Sequence, residues 1–333
     1  MGISVSVVIP SYNRRERLAR VLEGLADQSC GPERFEVVVV DDGSTDGTGG
    51  WLRERRCRFD LSVFEQTNRG PAAARNEGVA RANGELVLFL DDDVVPGRDL
   101  VLEHLKMHDA EVDVVVMGPM SSLPSYRQPW VAWEQAKLEA QYRAMIRGDY
   151  APTFRQFWTG NASLAKAHFV GAGGFDVSLP RGEDVELGQR LAARGLAFRF
   201  NPAAIGLHHA ERSLESWSAM HRSYGKLEVE IFRRLGQGEA GRILSDNFRR
   251  LHPLNRWLLR GCLGRKPLYS MTTSTLSAWL RLIDFVGQPA LSNEVCGALA
   301  NLLYWDASAG VLGDAERRKV FWPEERSEMR STP

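Results

Sequence analysis

Short apolar runs without polar alternation punctuate the first 120 residues. Residues 5–9, 35–40, 86–90 and 112–117 are each built almost wholly from Val, Ile, Leu, Phe and Met, as expected of strands covered on both faces of a parallel sheet. Residues 61–65 form a weaker run of the same kind. Segments of helical periodicity lie between them, at 14–26, in the stretch leading to Arg55, and from Pro71 through Arg81, where Pro71 suits a first helical turn. Three β-α units ahead of the 86–90 strand predict an α/β protein with a Rossmann-like, mostly parallel sheet flanked by helices. Beyond it the pattern predicts a Pro-rich turn over 118–129 and a helix over 130–146. A second helix opens at Gly182-Glu183-Asp184-Val185-Glu186-Leu187 and closes before Gly195, and a short strand follows at 205–207. From about Ser213 onward the chain reads as helices, with Trp217, Tyr224, Leu227, Ile231 and Leu235 near helical spacing, ending in a charged stretch at 315–333 that should fray. The organisation expected is therefore a domain over 1–211, with halves 1–117 and 118–211, and a helical region over 212–333.

Two of the apolar strands run into acid: the second into Asp41-Asp42-Gly43-Ser44-Thr45-Asp46, and the 86–90 strand into Asp91-Asp92-Asp93. In open α/β sheets ligands collect beyond the carboxyl ends of the strands. On an extended chain Asp91 and Asp93 would share a side and Asp92 would face away. Three adjacent negative charges call for a positive partner. A hard divalent ion, Mg²⁺ or Mn²⁺, carrying substrate phosphates meets that need with oxygen ligands. The other reading is a solvated acidic turn capping a helix that starts near Pro96. Neither G-x-G-x-x-G nor G-x-x-x-x-G-K-[ST] follows the first strand, so a metal is expected to supply the charge that glycine loops otherwise provide to phosphates.

Composition narrows the class. Forty-two basic and 42 acidic side chains in 333 residues give a formal net charge of zero, which argues against general nucleic-acid binding. The four cysteines, Cys30, Cys57, Cys262 and Cys296, match no zinc or disulfide spacing and read as free thiols. No run of about eighteen apolar residues is present, and the start of the chain enters a strand without a signal-peptide pattern, so a cytoplasmic location is expected. Between Lys226 and Lys266 ten Lys/Arg face four Asp/Glu, beside Trp257, Leu258 and Leu259. This excess suits a peripheral contact with an anionic inner membrane face, closure over donor phosphates, or a solvated helical face.

Four segments carry a resemblance. Val8-Ile9-Pro10-Ser11-Tyr12-Asn13-Arg14, Asp41-Asp42-Gly43-Ser44-Thr45-Asp46, residues 70–76 (GPAAARN) and 89–93 (FLDDD) resemble, in order, the nucleotide-sugar-binding half of family 2 glycosyltransferases of the GT-A fold. The resemblance covers roughly the first 210 residues. It implies a nucleoside-diphosphate sugar donor, with uridine favoured by family habit, and a hydroxyl acceptor on a glycan, a lipid-linked glycan or a small molecule. It further implies that Pro10 and Tyr12 pack on base and ribose and that Asp41 or Asp42 contacts the base. Arg75 would lie near the diphosphate, Arg14 and Asp92 would belong to the same donor set, and the Asp91–Asp93 region would hold the metal. Asn161, beside Gly160, would approach the sugar. Glu183-Asp184 matches the family's E-D motif, with Asp184 as general base, although acids in a first helical turn also serve as caps. His208 would complete the coordination, or stand at the strand end as a non-ligand. The expected reaction is a metal-dependent, inverting single displacement in polysaccharide or glycoconjugate synthesis. The alternatives are a nucleotidyltransferase, for which residues 10–14 lack the glycines, and a non-catalytic sugar-nucleotide-binding protein of the same fold.

Overall fold

A computed structural model describes residues 4–122, 128–179, 181–234, 237–287 and 292–322. Two compact units divide the chain, one of residues 1–126 and 134–210, the other of residues 127–133 and 211–333. The expected positions Leu235, 123–127 of the turn and 323–333 of the tail lie outside the described residues.

The first unit is built on strands β1 (Val5–Ser11), β2 (Phe35–Asp41), β3 (Asp60–Glu65), β4 (Leu86–Leu90), β5 (Val94–Pro96), β6 (Val114–Met117), β7 (Met120–Ser122), β8 (Asn161–Ala165), β9 (Ala197–Phe200) and β10 (Gly206–His208). Seven of them form one sheet in the order β3-β2-β1-β4-β8-β6-β9, and β5-β10-β7 form a small second sheet. Within the large sheet β8 alone runs antiparallel to its neighbours β4 and β6, while β1, β2, β3 and β4 pair in parallel.

Every residue of β1 and β2 is buried, and the two-residue alternation of a strand distributes them to two cores. Val5, Val7, Ile9, Val37 and Val39 pack under Leu18, Val21, Leu22 and Leu25 of α1 (Arg15–Ala26) and under Leu100, Val101 and Leu105 of α4 (Leu100–Ala110). Val8, Val38, Val40 and Phe89 face Ala72, Ala74 and Val79 of α3 (Pro71–Arg81) and Leu187 and Leu191 of α7 (Glu183–Ala193). The small residues of α3 have a reason: a Cβ at Gly78 would stand 2.4 Å from Val8 Cγ1, so the helix lies almost on the strand.

Several sequence expectations are amended. β1 does not break at Pro10 but continues to Ser11, pairing Pro10 with Val40. β4 pairs with β1 only over Val5–Val8, so the missing N–H of Pro10 falls beyond that ladder. β8 and β9 had no counterpart among the expected strands, and the helix after Pro96 begins only at Leu100.

Between β3 and β10 the first unit also holds α6 (Lys166–Gly171) and most of α5 (Pro129–Ile146), and α2 (Thr48–Glu54) follows β2. The second unit consists of α8 (Leu214–Arg234), α9 (Gln237–Arg249), α10 (Pro253–Cys262), α11 (Lys266–Val286), α12 (Asn293–Val311) and α13 (Asp314–Phe321), with the first turn of α5. Its core joins Val229, Leu244, Leu259, Leu302 and Val320 to an edge-on aromatic group in which Phe248 lies 5.1 Å from Phe321 and 5.3 Å from Trp305. Trp217 and Ile231 are buried as the spacing predicts, whereas Tyr224 is exposed. All four cysteines are free. No helix among the described residues is long and apolar enough to cross a membrane.

Candidate active site

The carboxyl ends of β1, β2 and β4 meet where strand order reverses about β1, the position at which such sheets bind ligands. β4 stops at Leu90, and the next three residues form a turn closed by the Val94 N–H donating to the Asp91 carbonyl at 3.1 Å. The alternation expected of Asp91, Asp92 and Asp93 is therefore replaced. Asp92 accepts from Ser11 Oγ at 2.8 Å and from Arg14 Nη1 at 3.0 Å, and Asp93 accepts from the same Arg14 nitrogen at 2.6 Å, with Arg17 3.7 Å away. Asp91 turns to the opposite side and takes Arg75 Nη2 at 2.7 Å. The positive charge that the acidic run requires is present as three arginines of the chain itself. Burial nevertheless pushes the Asp92 carboxyl up to about 7, against the pull of Arg14. Burial opposes the Arg14 charge in turn, but Asp92 and Asp93 outweigh it and raise its pKa.

Arg75 is the joint of the site. Its guanidinium is buried, donates to Asp91 on one side and to Glu183 Oε1 at 2.9 Å on the other, and lies 5.8 Å over the Phe175 ring. Glu183 opens α7 after Gly182, whose φ of +73° suits glycine. Asp184 follows, half-buried, with Oδ1 accepting its neighbour's Val185 N–H at 2.8 Å. Burial pushes the Asp184 carboxyl up to about 7, the charge of Glu183 adds to this, and Arg75 opposes it. The helix is held in register by two clamps. Asn76 exchanges a reciprocal pair of hydrogen bonds with the Phe175 backbone, both 2.9 Å. Glu186 grips Arg190 at 2.8 and 2.6 Å, and Arg190 reaches the carbonyls of Ala172 and Gly174.

At the end of β1, Tyr12 is 47% exposed beyond Pro10. Asn13, at φ +54°, ties this loop to the next by accepting the Thr45 N–H at 2.7 Å while its own N–H donates to Ser44 Oγ at 2.8 Å. Asp41 and Asp42 are both buried. Asp42 accepts from Gln66 Nε2 and from the Arg69 and Gly70 N–H groups at 2.6 to 2.9 Å, and Asp41 accepts from the Ser44 N–H at 3.0 Å. Asp42 is thus a clamp on the 66–70 loop, and Asp41 holds the turn that follows β2.

Asn161 also departs from expectation. It is fully buried in β8, with Nδ2 donating to the carbonyls of Pro119 and Ala204 at 3.0 and 2.8 Å. Its Oδ1 takes the Nε2–H of His104 at 2.9 Å, and His104 Nδ1 accepts from Ser163 Oγ at 2.7 Å. Burial pushes the His104 imidazole down to about 4, which keeps it neutral in that arrangement. Asn161 is a clamp inside the core, and the group near Asp91 is Gly160, whose carbonyl accepts the Asp91 N–H and whose absent side chain leaves room for Asp91 Oδ2.

The donor set for a divalent ion is modest. Among the described residues no group of three or more His, Cys, Asp or Glu side chains is placed to hold one. His208 Nε2 lies 3.7 Å from Asp93 Oδ1, both buried, and Asp91 presents a partly exposed carboxylate. This fits Mg²⁺ or Mn²⁺ in the mode in which one or two carboxylates are completed by substrate phosphates and water, not a cage made by protein alone. Sequence reading passed over Ser11, Arg17 and Asn76. Ser11 and Asn76 lay within the quoted motifs, but nothing local told which partner each would take.

Residues 6–168 match the family model described as glycosyl transferase family 2. Validoxylamine A glucosyltransferase of Streptomyces hygroscopicus subsp. limoneus is 36% identical over 232 residues, covering 61% of this chain and 51% of that protein. The uncharacterized glycosyltransferase YfnE of Bacillus subtilis is 30% identical over 261 residues, covering 63% and 66%. The chain thus spans about half to two thirds of the length of these curated relatives. Among solved structures, the mannosyltransferase PcManGT from Pyrobaculum calidifontis, in complex with GDP-Man and Mn²⁺, matches with a TM-score of 0.58 at 19% identity over 98% of this chain and 89% of that one. Residues 1–349 of TarS from S. aureus match at 0.56 and 19% over 92% and 90%. At such identity the likeness is one of fold, here the GT-A fold with its C-terminal helices.

Proposed function

Because the chain belongs to glycosyl transferase family 2 through residues 6–168, we propose that it moves a sugar from a nucleoside-diphosphate donor to an acceptor hydroxyl with inversion at the anomeric carbon. The observation that carries this reading is the Arg75 bridge, which sets the Asp91 end of β4 against Glu183 and Asp184. Asp184 takes the acceptor's proton as the new bond to the anomeric carbon forms and the bond to the diphosphate breaks. The raised pKa of Asp184 suits it to that task near neutral pH. Arg75 and Glu183 fix the base relative to the donor. Tyr12 and the loop after Pro10 face the nucleoside, and Asp41 stands behind them. Asp93, beside His208, would hold a Mg²⁺ or Mn²⁺ ion completed by substrate phosphates and water, which when bound neutralises charge on the departing diphosphate. A uridine donor is favoured, since TarS has been solved with UDP and with UDP-GlcNAc, although PcManGT was solved with GDP-Man.

A thermal-shift screen of UDP-, GDP- and dTDP-sugars with and without Mn²⁺ tests the reading. A donor at a hundred times its dissociation constant adds about 2.7 kcal/mol of stability, so one nucleotide class should raise the melting temperature, and more so with metal. In Asp93→Asn the metal-dependent part of that shift is expected to vanish while the fold persists. An undiminished metal-dependent shift in that variant removes Asp93 from the ion's ligands.

The acceptor's setting is part of the same reading. Trp257 on α10 and Phe285 on α11 are 76% and 89% exposed, Trp279 and Leu282 are exposed beside them on α11, and residues 226–266 carry the basic excess. Exposed aromatic groups near arginines suit the headgroup region of an anionic bilayer. Sedimentation with acidic liposomes should therefore show binding that fades with salt, because exposed charges are screened beyond about 10 Å at 0.1 M ionic strength. Equal behaviour toward neutral and acidic liposomes at low salt would remove the membrane from this proposal.

A further inference from the structure

The C-terminal unit contains a cavity of about 300 Å³ that the transfer chemistry does not use. Side chains from four helices line it. His221 and Glu228 stand seven residues apart on α8, two turns along one face, and Asn301, Tyr304 and Trp305 share a face of α12 at spacings of three and four. Asn247 enters from α9 and Trp133 from the start of α5. The walls are rings. Trp133 lies 6.0 Å from the His221 ring, and Tyr304 and Trp305 stand nearly perpendicular at 5.0 Å. The Tyr304 hydroxyl donates to Glu228, which fixes that carboxylate at the cavity's edge.

Asn247 and Asn301 are half-buried, and neither makes a hydrogen bond to another described residue. Each amide offers two N–H donors and an acceptor, and both stay open to solvent or a ligand rather than being spent within the chain. A packing role would be better served by apolar side chains. Rings, two amides and a carboxylate around a small volume suit a ligand with a C–H face to lie on an aromatic wall and a rim of hydroxyls that both donate and accept. The volume lies at the lower limit for ligand pockets and suits one six-membered sugar ring. Aromatic walls also accept cationic amines, but an amine offers no acceptors for the four amide N–H donors.

We propose that this cavity binds one pyranose ring of a saccharide. That the saccharide is the acceptor glycan rests on the transferase reading, whereas its binding does not. The test uses the full chain with the methyl glycosides of glucose, galactose, mannose and N-acetylglucosamine, followed by saturation-transfer NMR and tryptophan fluorescence in excess UDP. At least one glycoside should bind despite UDP, and the double variant Asn247→Ala/Asn301→Ala should bind it roughly tenfold or more weakly, as expected for two lost hydrogen bonds. Asn301→Asp, of the same shape but without the amide donors, should weaken it in the same direction if the double variant does not fold. The proposal is overturned if no glycoside binds, if UDP displaces it, if tetramethylammonium binds instead, or if the folded variants bind as the native chain does. Failure of every nucleotide sugar to shift the melting temperature would touch only the transferase reading.

Discussion

Replacing Asp184 by asparagine is expected to lower turnover by roughly 10²- to 10⁴-fold, the range for a lost general base, while affinity for the nucleoside diphosphate stays nearly unchanged. A sugar hydroxyl is a weak nucleophile at neutral pH, and the other carboxylates of the site are engaged. Asp92 and Asp93 pair with Arg14, Asp91 and Glu183 with Arg75, Asp42 with the 66–70 loop, and Glu186 with Arg190. Asp184 accepts the backbone N–H of Val185 and sits where burial pushes it up to about 7. The base must be ionised to act, so kcat/KM of the native enzyme should climb as pH rises toward 7 and level off above it, and this limb should be absent in the variant. Stability moves the other way. A carboxyl whose folded pKa lies above its unfolded value favours the fold at low pH and loses that contribution as pH rises through 7. Asp184→Asn should therefore melt higher than the native chain at pH 8, by a margin that shrinks at pH 5 and is gone by about pH 4. Near-normal turnover in the variant would exclude Asp184 as base, and a product retaining the donor's configuration would overturn the single displacement.

Arg75→Met carries the largest expected effect on the fold. Removing one partner of a buried ion pair leaves the others uncompensated, which costs roughly 3–5 kcal/mol, and the low end of that range applies because a third of the Asp91 side chain reaches solvent. Met fills similar volume, so the loss is electrostatic and not a cavity. Protonation relieves it: denaturant midpoints of variant and native chain should lie far apart at pH 8 and draw together toward pH 4. A constant difference across that range would show that Arg75 stabilises by packing on Phe175 instead.

The strands that end at the site were legible because each is an almost wholly apolar run, and β2 and β4 run directly into acid. Their directions were not. Whether Asp91 or Asp92 faces a given partner depends on where β4 yields to a turn, and that is set by the hydrogen bond from Val94. The pairing of Arg75 with Glu183 spans 108 residues and has no local trace. β8 was hidden for a different reason. Asn161 and Ser163 are polar, and only partners distant in sequence, His104 and His108 with the Pro119 and Ala204 carbonyls, make their burial tolerable. Asn161 was consequently assigned to the sugar when its amide is spent inside the core.

β8 also sets the order in which the chain can fold. It lies between β4 and β6, although both precede it in sequence, and β6 has no other partner in the sheet but the still later β9. Strands β1 to β4 join only near neighbours and can assemble as they leave the ribosome. The outer edge of β4 must then wait for about seventy residues more, roughly 4–14 s at about 5–20 residues per second. An unpaired apolar edge is a template for wrong partners. The nascent chain is therefore most open to self-association while residues 91–160 are being made, and slower synthesis lengthens that interval.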